Sequence, residues 1–209
     1  MDLLMALDFT TIPEAKLILR EVGDGIDIVE VGTPFIVREG MRAVAEIRRD
    51  FPAVRIFADL KIMDAGAQET ECAIQAGADI VSVLGVAAEA TILACVQTAH
   101  KHGKAVLADM IAVPDIAKRA AEIDLLGVDY ICVHTAFDLQ ASGTDPLSEL
   151  LIVSQVVKQA KVAVAGGVRL ETLPEIVKAH PSIVIVGGAL SSKSDKRKAA
   201  MDMRALMRA

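Results

Sequence analysis

Eight short runs of β-branched and small apolar residues punctuate this chain, and a longer helix-compatible stretch follows each. The runs are "LLMALD" (3–8), "IDIVEV" (26–31), "VRIFADL" (54–60), "DIVSVL" (79–84), "KAVLADM" (104–110), "DYICVH" (129–134), "KVAVAG" (161–166) and "SIVIVG" (182–187). They recur every 21 to 32 residues, the rhythm of repeated strand–helix units. Strands this uniformly apolar suit a parallel sheet with helices packed on it. Eight units match an α/β fold of the (β/α)8 TIM-barrel type, which typically needs ~250 residues. A single barrel domain over residues 1–209 therefore requires short loops. An open doubly wound sheet would use five or six strands and leave the last two runs without a place.

Composition supports this reading. Hydrophobic residues make up 53% of the chain, aromatics only 3%, and there is no Trp. The core must be built from Ala, Val, Ile, Leu and Met, the residues that line parallel strands and their covering helices. No apolar run approaches the ~18 residues needed to cross a bilayer. The start "MDLLMALDF" carries Asp2 and no basic region, unlike a signal peptide. Cys72, Cys95 and Cys132 are an odd count without zinc-ligand spacing, which argues against a disulfide framework. A net charge of -6 disfavours nucleic acid or an anionic membrane as partner. The expectation is a soluble, cytoplasmic, globular chain.

Helix starts are marked at Thr33-Pro34, before "FIVREGMRAVAEIRR", and at Asp145-Pro146, before "LSELLIVSQVVKQ". Each is read as a capping residue with Pro at the first helical position. In the stretch 195–208, Ala199, Met203 and Leu206 share one face, and the basic residues form a solvated one.

The strand ends carry the chemistry. Strand 1 finishes at Asp8, strand 2 offers Glu30, strand 3 Asp59 and Lys61, strand 5 Asp109, and strand 6 His134. Any one of these alone is most simply a turn or cap residue. In a barrel, however, the C-terminal strand ends converge on one mouth, where catalytic groups sit. Asp59 and Lys61, two apart, are expected on one face of their strand. The pairs Gly166-Gly167 and Gly187-Gly188 follow strands 7 and 8, the usual place for backbone amides to hold a phosphate. Of four histidines only His134 ends a strand, which makes it the acid/base candidate.

In "DLKIMD", residues 59–64, the chain resembles the orotidine 5'-monophosphate decarboxylase superfamily, marked by D-x-K-x-x-D at the end of the third strand. The segments "ALD", "VEVGTP", "DLKIMDAG", "GAD", "HTAFDLQA", "AGGV" and "VGGA" fall in family order over essentially the whole length. Within the superfamily the chain is similar to the branch of 3-hexulose-6-phosphate synthases. That resemblance implies aldol addition of formaldehyde to D-ribulose 5-phosphate through a 1,2-enediolate. It implies Mg²⁺ (or Mn²⁺) held by Glu30 and Asp59, with Lys61, Asp64, Asp109 and His134 as catalytic residues. It further implies that Asp8, Ala165, Gly166, Gly167, Gly187 and Gly188 bind the sugar phosphate, and that Asp64 reaches the neighbouring site of a homodimer.

The alternative is the branch of 3-keto-L-gulonate 6-phosphate decarboxylases. That branch typically has Glu at Asp109, Arg at Phe137, Thr at Ala165 and Arg at Gly188. All four differences favour the synthase side. A non-catalytic receiver-like module would need about 120 residues and five strands, and would leave strands 6 to 8 unused.

Overall fold

The computed structural model describes residues 1–140 and 146–208. Eight parallel strands close into a barrel in sequence order. They are β1 (Asp2–Leu7), β2 (Ile28–Val31), β3 (Arg55–Ile62), β4 (Ile80–Leu84), β5 (Ala105–Asp109), β6 (Tyr130–His134), β7 (Lys161–Ala165) and β8 (Ile183–Val186). The outer layer holds α1 (Ile12–Val22), α2 (Thr33–Glu39), α3 (Arg42–Asp50), α4 (Gly66–Ala76), α5 (Glu89–Lys101) and α6 (Ile116–Asp124). It continues with α7 (Phe137–Gln140), α8 (Leu147–Val156), α9 (Leu173–Val177), α10 (Gly188–Ser191) and α11 (Lys196–Arg208).

Side chains alternate between two faces along each strand, so the sequence sorts into two cores. Leu3, Met5, Val29, Ile56, Val81 and Val106 point outward and pack under the helices. Leu4, Ala6, Ile28, Phe57, Ile80, Leu107, Tyr130, Cys132, Ala163 and Ile185 point inward and fill the barrel. Continuing each inward series toward the strand's C-terminal end gives Asp8, Glu30, Asp59, Ser82, Asp109, His134, Ala165 and Gly187. The period of two that builds the core also delivers the polar groups to the mouth.

The opposite end is tied by a repeated device. Asp27, Asp79 and Asp129, each just before an even-numbered strand, accept the backbone N–H of Leu3, Ile56 and Val106 at 2.8, 2.9 and 2.8 Å. Each also meets a basic side chain: Arg204 at 2.8 Å, Lys104 at 2.6 Å, and His100 at 3.0 Å. Asp124, nearly fully buried at the end of α6, accepts the amides of Lys158, Gln159 and Ala160 at 2.8, 3.1 and 2.7 Å. These carboxylates fix how the strands enter the barrel, far from its mouth.

Three sequence expectations need correction. α2 begins one residue early, with Gly32 as the cap and Thr33 as its first helical residue. The helix expected to run through "FIVREGMRAVAEIRR" is broken, because Gly40 adopts φ +65° and its N–H closes on Ile36. Pro146 sits at the cap before Leu147 rather than inside α8, and Asp145 lies outside the described residues. The C-terminal face is as read: Met203 is buried, with Ala199 and Leu206 packed beside it.

Candidate active site at the barrel mouth

A cavity of about 1400 Å³ opens at the C-terminal end of the barrel. It is lined by Asp8, Glu30, Asp59, Lys61, Asp109, His134, Ala165 and both glycine pairs. The expected strand-end residues thus share one chamber, with Asp64 the exception. Asp64 is exposed beside Ala65, which is held at φ +51°, and it does not line this chain's cavity.

The centre of the site is a chain of charge-assisted bonds. Lys61 Nζ donates to Asp59 Oδ2 at 2.6 Å and to Asp109 Oδ2 at 2.9 Å. His134 Nδ1 lies 2.8 Å from the same Asp109 oxygen. Burial would push the Asp109 carboxyl up, but the His134 bond and charge, with Lys61, bring it down to about 2. An ionised carboxylate can only accept, so His134 Nδ1 carries the proton, and Nε2 has no partner among the described residues. Burial alone would lower the Lys61 ammonium, yet the Asp109 and Asp59 carboxylates outweigh it and hold it well above its ordinary range. Lys61 is a fixed positive charge.

Lys61 reaches this position through an irregular strand. The β3–β4 register shifts between Ala58 and Ile62, and Lys61 adopts φ +50°. Such a conformation costs a residue with a side chain on the order of 1–3 kcal/mol. The Lys61 N–H donates to Ser82 Oγ at 2.8 Å, and Ser82 in turn donates to Asp59 Oδ1 at 2.8 Å. Thr33 Oγ1 donates to Asp59 Oδ2 at 2.9 Å and lies 2.7 Å from its carbonyl. Ser82 and Thr33 were not anticipated as site residues. Ser82 carried one signal, a hydroxyl at an inward position of an apolar strand. Thr33 read as a helix cap.

Glu30 is the buried anomaly. It is 6% exposed, and its Oε2 has no partner among the described residues. Burial, with the Asp59 and Asp8 charges, pushes its carboxyl well above the usual range. Asp8 is pushed up likewise, by burial and then by Asp59. Four carboxylates face one ammonium here, and an orphaned buried oxygen of this kind fits a hard divalent cation. Three of the four lone-pair positions of Asp59 are taken, which leaves one for a metal. Among the described residues no three His, Cys, Asp or Glu gather into a complete metal cage. Glu30 and Asp59 would supply two ligands, and water or substrate the others.

Asp8 links the two halves of the site. A Cβ on Gly32 would sit 2.0 Å from Asp8 Oδ1, so only glycine lets the carboxylate lie over the start of α2. Gly166, at φ +87°, lies against the backbone of Thr135, 2.2 Å from where its Cβ would be. That glycine is required by chain packing as well as by any ligand.

Phe9, in the loop after β1, and Phe137, the first residue of α7, stand over the mouth, 77% and 69% exposed, with ring centroids 5.7 Å apart. Among the described residues no helix is long and apolar enough to cross a membrane.

Comparison with known proteins follows the same lines. Residues 1–203 match the model of the orotidine 5'-phosphate decarboxylase / HUMPS family. The chain is 52% identical over 207 residues to a 3-hexulose-6-phosphate synthase of Bacillus subtilis, covering 99% of each chain. It is 48% identical over 205 residues to 3-hexulose-6-phosphate synthase 1 of Staphylococcus saprophyticus, covering 98% of each. Among solved structures, the 3-hexulose-6-phosphate synthase of Salmonella typhimurium superposes with a TM-score of 0.97 at 39% identity, over 100% of this chain and 99% of that one.

Proposed function

This chain belongs to the orotidine 5'-phosphate decarboxylase / HUMPS family, and from that membership we propose that it is an aldehyde-lyase of the 3-hexulose-6-phosphate synthase type. In this reading it adds formaldehyde to D-ribulose 5-phosphate, reversibly giving D-arabino-hex-3-ulose 6-phosphate. The observation that carries the proposal is the Asp109 oxygen shared by His134 Nδ1 and Lys61 Nζ, in a chain matching named synthases over nearly its full length.

His134 Nε2 takes the proton from C1 of the ketose, and the electron pair moves into a 1,2-enediolate. Asp109 holds the imidazole in the tautomer that leaves Nε2 free and stabilises the imidazolium that forms. Lys61 keeps a positive charge beside the developing negative oxygens without titrating. C1 of the enediolate then bonds to the carbon of formaldehyde, and the former C2 becomes the ketone of the product. The new alkoxide takes the proton back from Nε2, so the step is balanced without a redox partner. Asp8 orients a substrate hydroxyl. Mg²⁺, held by Glu30 and Asp59, would supply Lewis-acid charge at the ketose oxygens.

Phe137 and Gly188 support the synthase reading over the decarboxylase one, because no cation stands at either position to meet a substrate carboxylate. The cytoplasm, a homodimer with shared sites, and small sugar-phosphate and aldehyde partners belong to the same proposal. The test is consumption of formaldehyde with ribulose 5-phosphate, with and without Mg²⁺, beside release of CO₂ from 3-keto-L-gulonate 6-phosphate. Metal-dependent consumption of formaldehyde supports it. Turnover of the keto-gulonate alone would replace it.

A further inference from the structure

Four basic side chains line the cavity: Lys61, His134, Lys196 and Arg169. Three are engaged. Lys61 is held by Asp59 and Asp109, His134 is bonded to Asp109, and Lys196 lies 3.1 Å from Glu21. Among the described residues, the Arg169 guanidinium forms no ion pair and no hydrogen bond, the bonds of this residue all being backbone ones, although its side chain also borders a cleft containing Glu171, Asp195 and Asp202. Two acids of that cleft are already occupied: Asp195 accepts the Lys198 N–H at 2.8 Å, and Asp202 accepts Lys198 Nζ at 2.6 Å, while Glu171 forms no ion pair with Arg169.

The backbone that carries Arg169 is fixed even though its side chain is not. Its N–H donates to Thr172 Oγ1 at 3.0 Å, and its carbonyl accepts the Leu173 N–H at 2.9 Å. This turn comes directly after Gly166-Gly167, whose φ angles of +87° and +73° set the β7 loop. After the neighbouring strand β8, Gly188 leaves open space, with no atom within 4 Å of where a Cβ would stand. The glycine pairs offer amides, but an amide cradle alone leaves a phosphate dianion without a counter-charge.

We propose that Arg169 is the counter-charge for the substrate's phosphate, closing over the anion held by the β7 and β8 glycine loops. This deepens the sugar-phosphate reading above and rests on it. A guanidinium suits the task because its planar fork can give two parallel bonds to phosphate, which an ammonium cannot reproduce. A free, solvated guanidinium keeps its rotamer freedom until the anion arrives, so its contribution falls on binding rather than on the proton-transfer step.

The test measures binding and turnover separately. Titration calorimetry of inorganic phosphate should show Arg169→Ala weaker than wild type by about 10-fold or more, with Arg169→Lys between them. KM for ribulose 5-phosphate should rise by a similar factor, and kcat should change much less. The Arg169 side chain makes no bond in the fold, so thermal unfolding should be unaltered. If the wild type binds phosphate and Arg169→Ala binds it equally well, the inference is overturned. The same holds if kcat falls while KM and phosphate affinity stay put. A wild type that binds phosphate but does not consume formaldehyde would instead sink the proposed reaction, and the calorimetry would still decide Arg169.

Discussion

His134 Nδ1 lies 2.8 Å from Asp109 Oδ2, and that contact leaves Nε2 as the ring nitrogen with no bond to the described residues. Asp109 is 3% exposed and also holds Lys61, so one carboxylate organises both the imidazole and the fixed charge. Asp109→Asn should lower kcat by ~10²-fold or more, the scale of general acid/base catalysis. His134→Asn should slow solvent exchange of the ketose C1 proton by a similar factor. Proton NMR in D₂O measures this directly. Normal exchange in either variant would move the base to another group.

The same carboxylate carries a pH signature. Its folded pKa of about 2 lies below the ordinary 3.8. Its stabilising contribution is therefore full above pH ~4 and is lost as pH falls through about 2. Denaturant midpoints measured from pH 2 to 7 should fall steeply below pH 4 in the wild type and less steeply in Asp109→Asn. Parallel curves would mean that the pair contributes nothing to acid stability.

Glu30 has the opposite sign. Burial raises its carboxyl in the folded chain, so the folded state binds more protons than the unfolded one above pH ~4.5. Stability must then decline as pH rises through that range. In excess chelator, Glu30→Gln should flatten this decline, because its neutral amide has no charge to bury. Added Mg²⁺ should raise the melting temperature of the wild type and not that of the variant. Equal metal-induced shifts would remove Glu30 from the ligand set.

Asp124 belongs to stability alone. It accepts three backbone amides ahead of β7, at the end of the barrel away from the site. Bonds to a charged acceptor are worth about 1.5–3 kcal/mol each before non-additivity. Asp124→Ala should cost roughly 3 kcal/mol or more in chemical denaturation, while kcat in the folded protein stays within about twofold. A loss of kcat without a loss of stability would tie this end of the barrel to catalysis.

Most of the mouth was readable because inward alternation is local. Asp8, Glu30, Asp59, Asp109 and His134 each continue an apolar inward series by two residues. What escaped depends on pairings distant in sequence. Thr33 looks like a cap until β3 places Asp59 beside its hydroxyl. Ser82 gains its role only when the β3–β4 register slips and Lys61 turns its N–H toward it. Asp59 and Lys61 were expected to meet by strand alternation, yet they meet across a bulge with Lys61 at positive φ. Arg169 drew no reading from the sequence, because only the fold brings it to the mouth and shows its guanidinium without a carboxylate partner among the described residues.

Asp64 poses the remaining question, since this chain leaves it exposed and outside its own cavity. If it completes the site of a second copy, Asp64→Ala and His134→Ala homodimers should each be nearly inactive, with two damaged sites apiece. In a mixed dimer, the barrel that retains His134 receives an intact Asp64 from its partner, and the other barrel collects both lesions. Equal mixing makes about half the dimers mixed, so about a quarter of wild-type activity should return in a symmetric dimer. The two variants should be denatured and refolded together, which avoids slow subunit exchange. Absence of any recovery, in samples shown by tandem tag capture to contain the mixed dimer, would exclude a shared site and leave Asp64 with a role in its own chain.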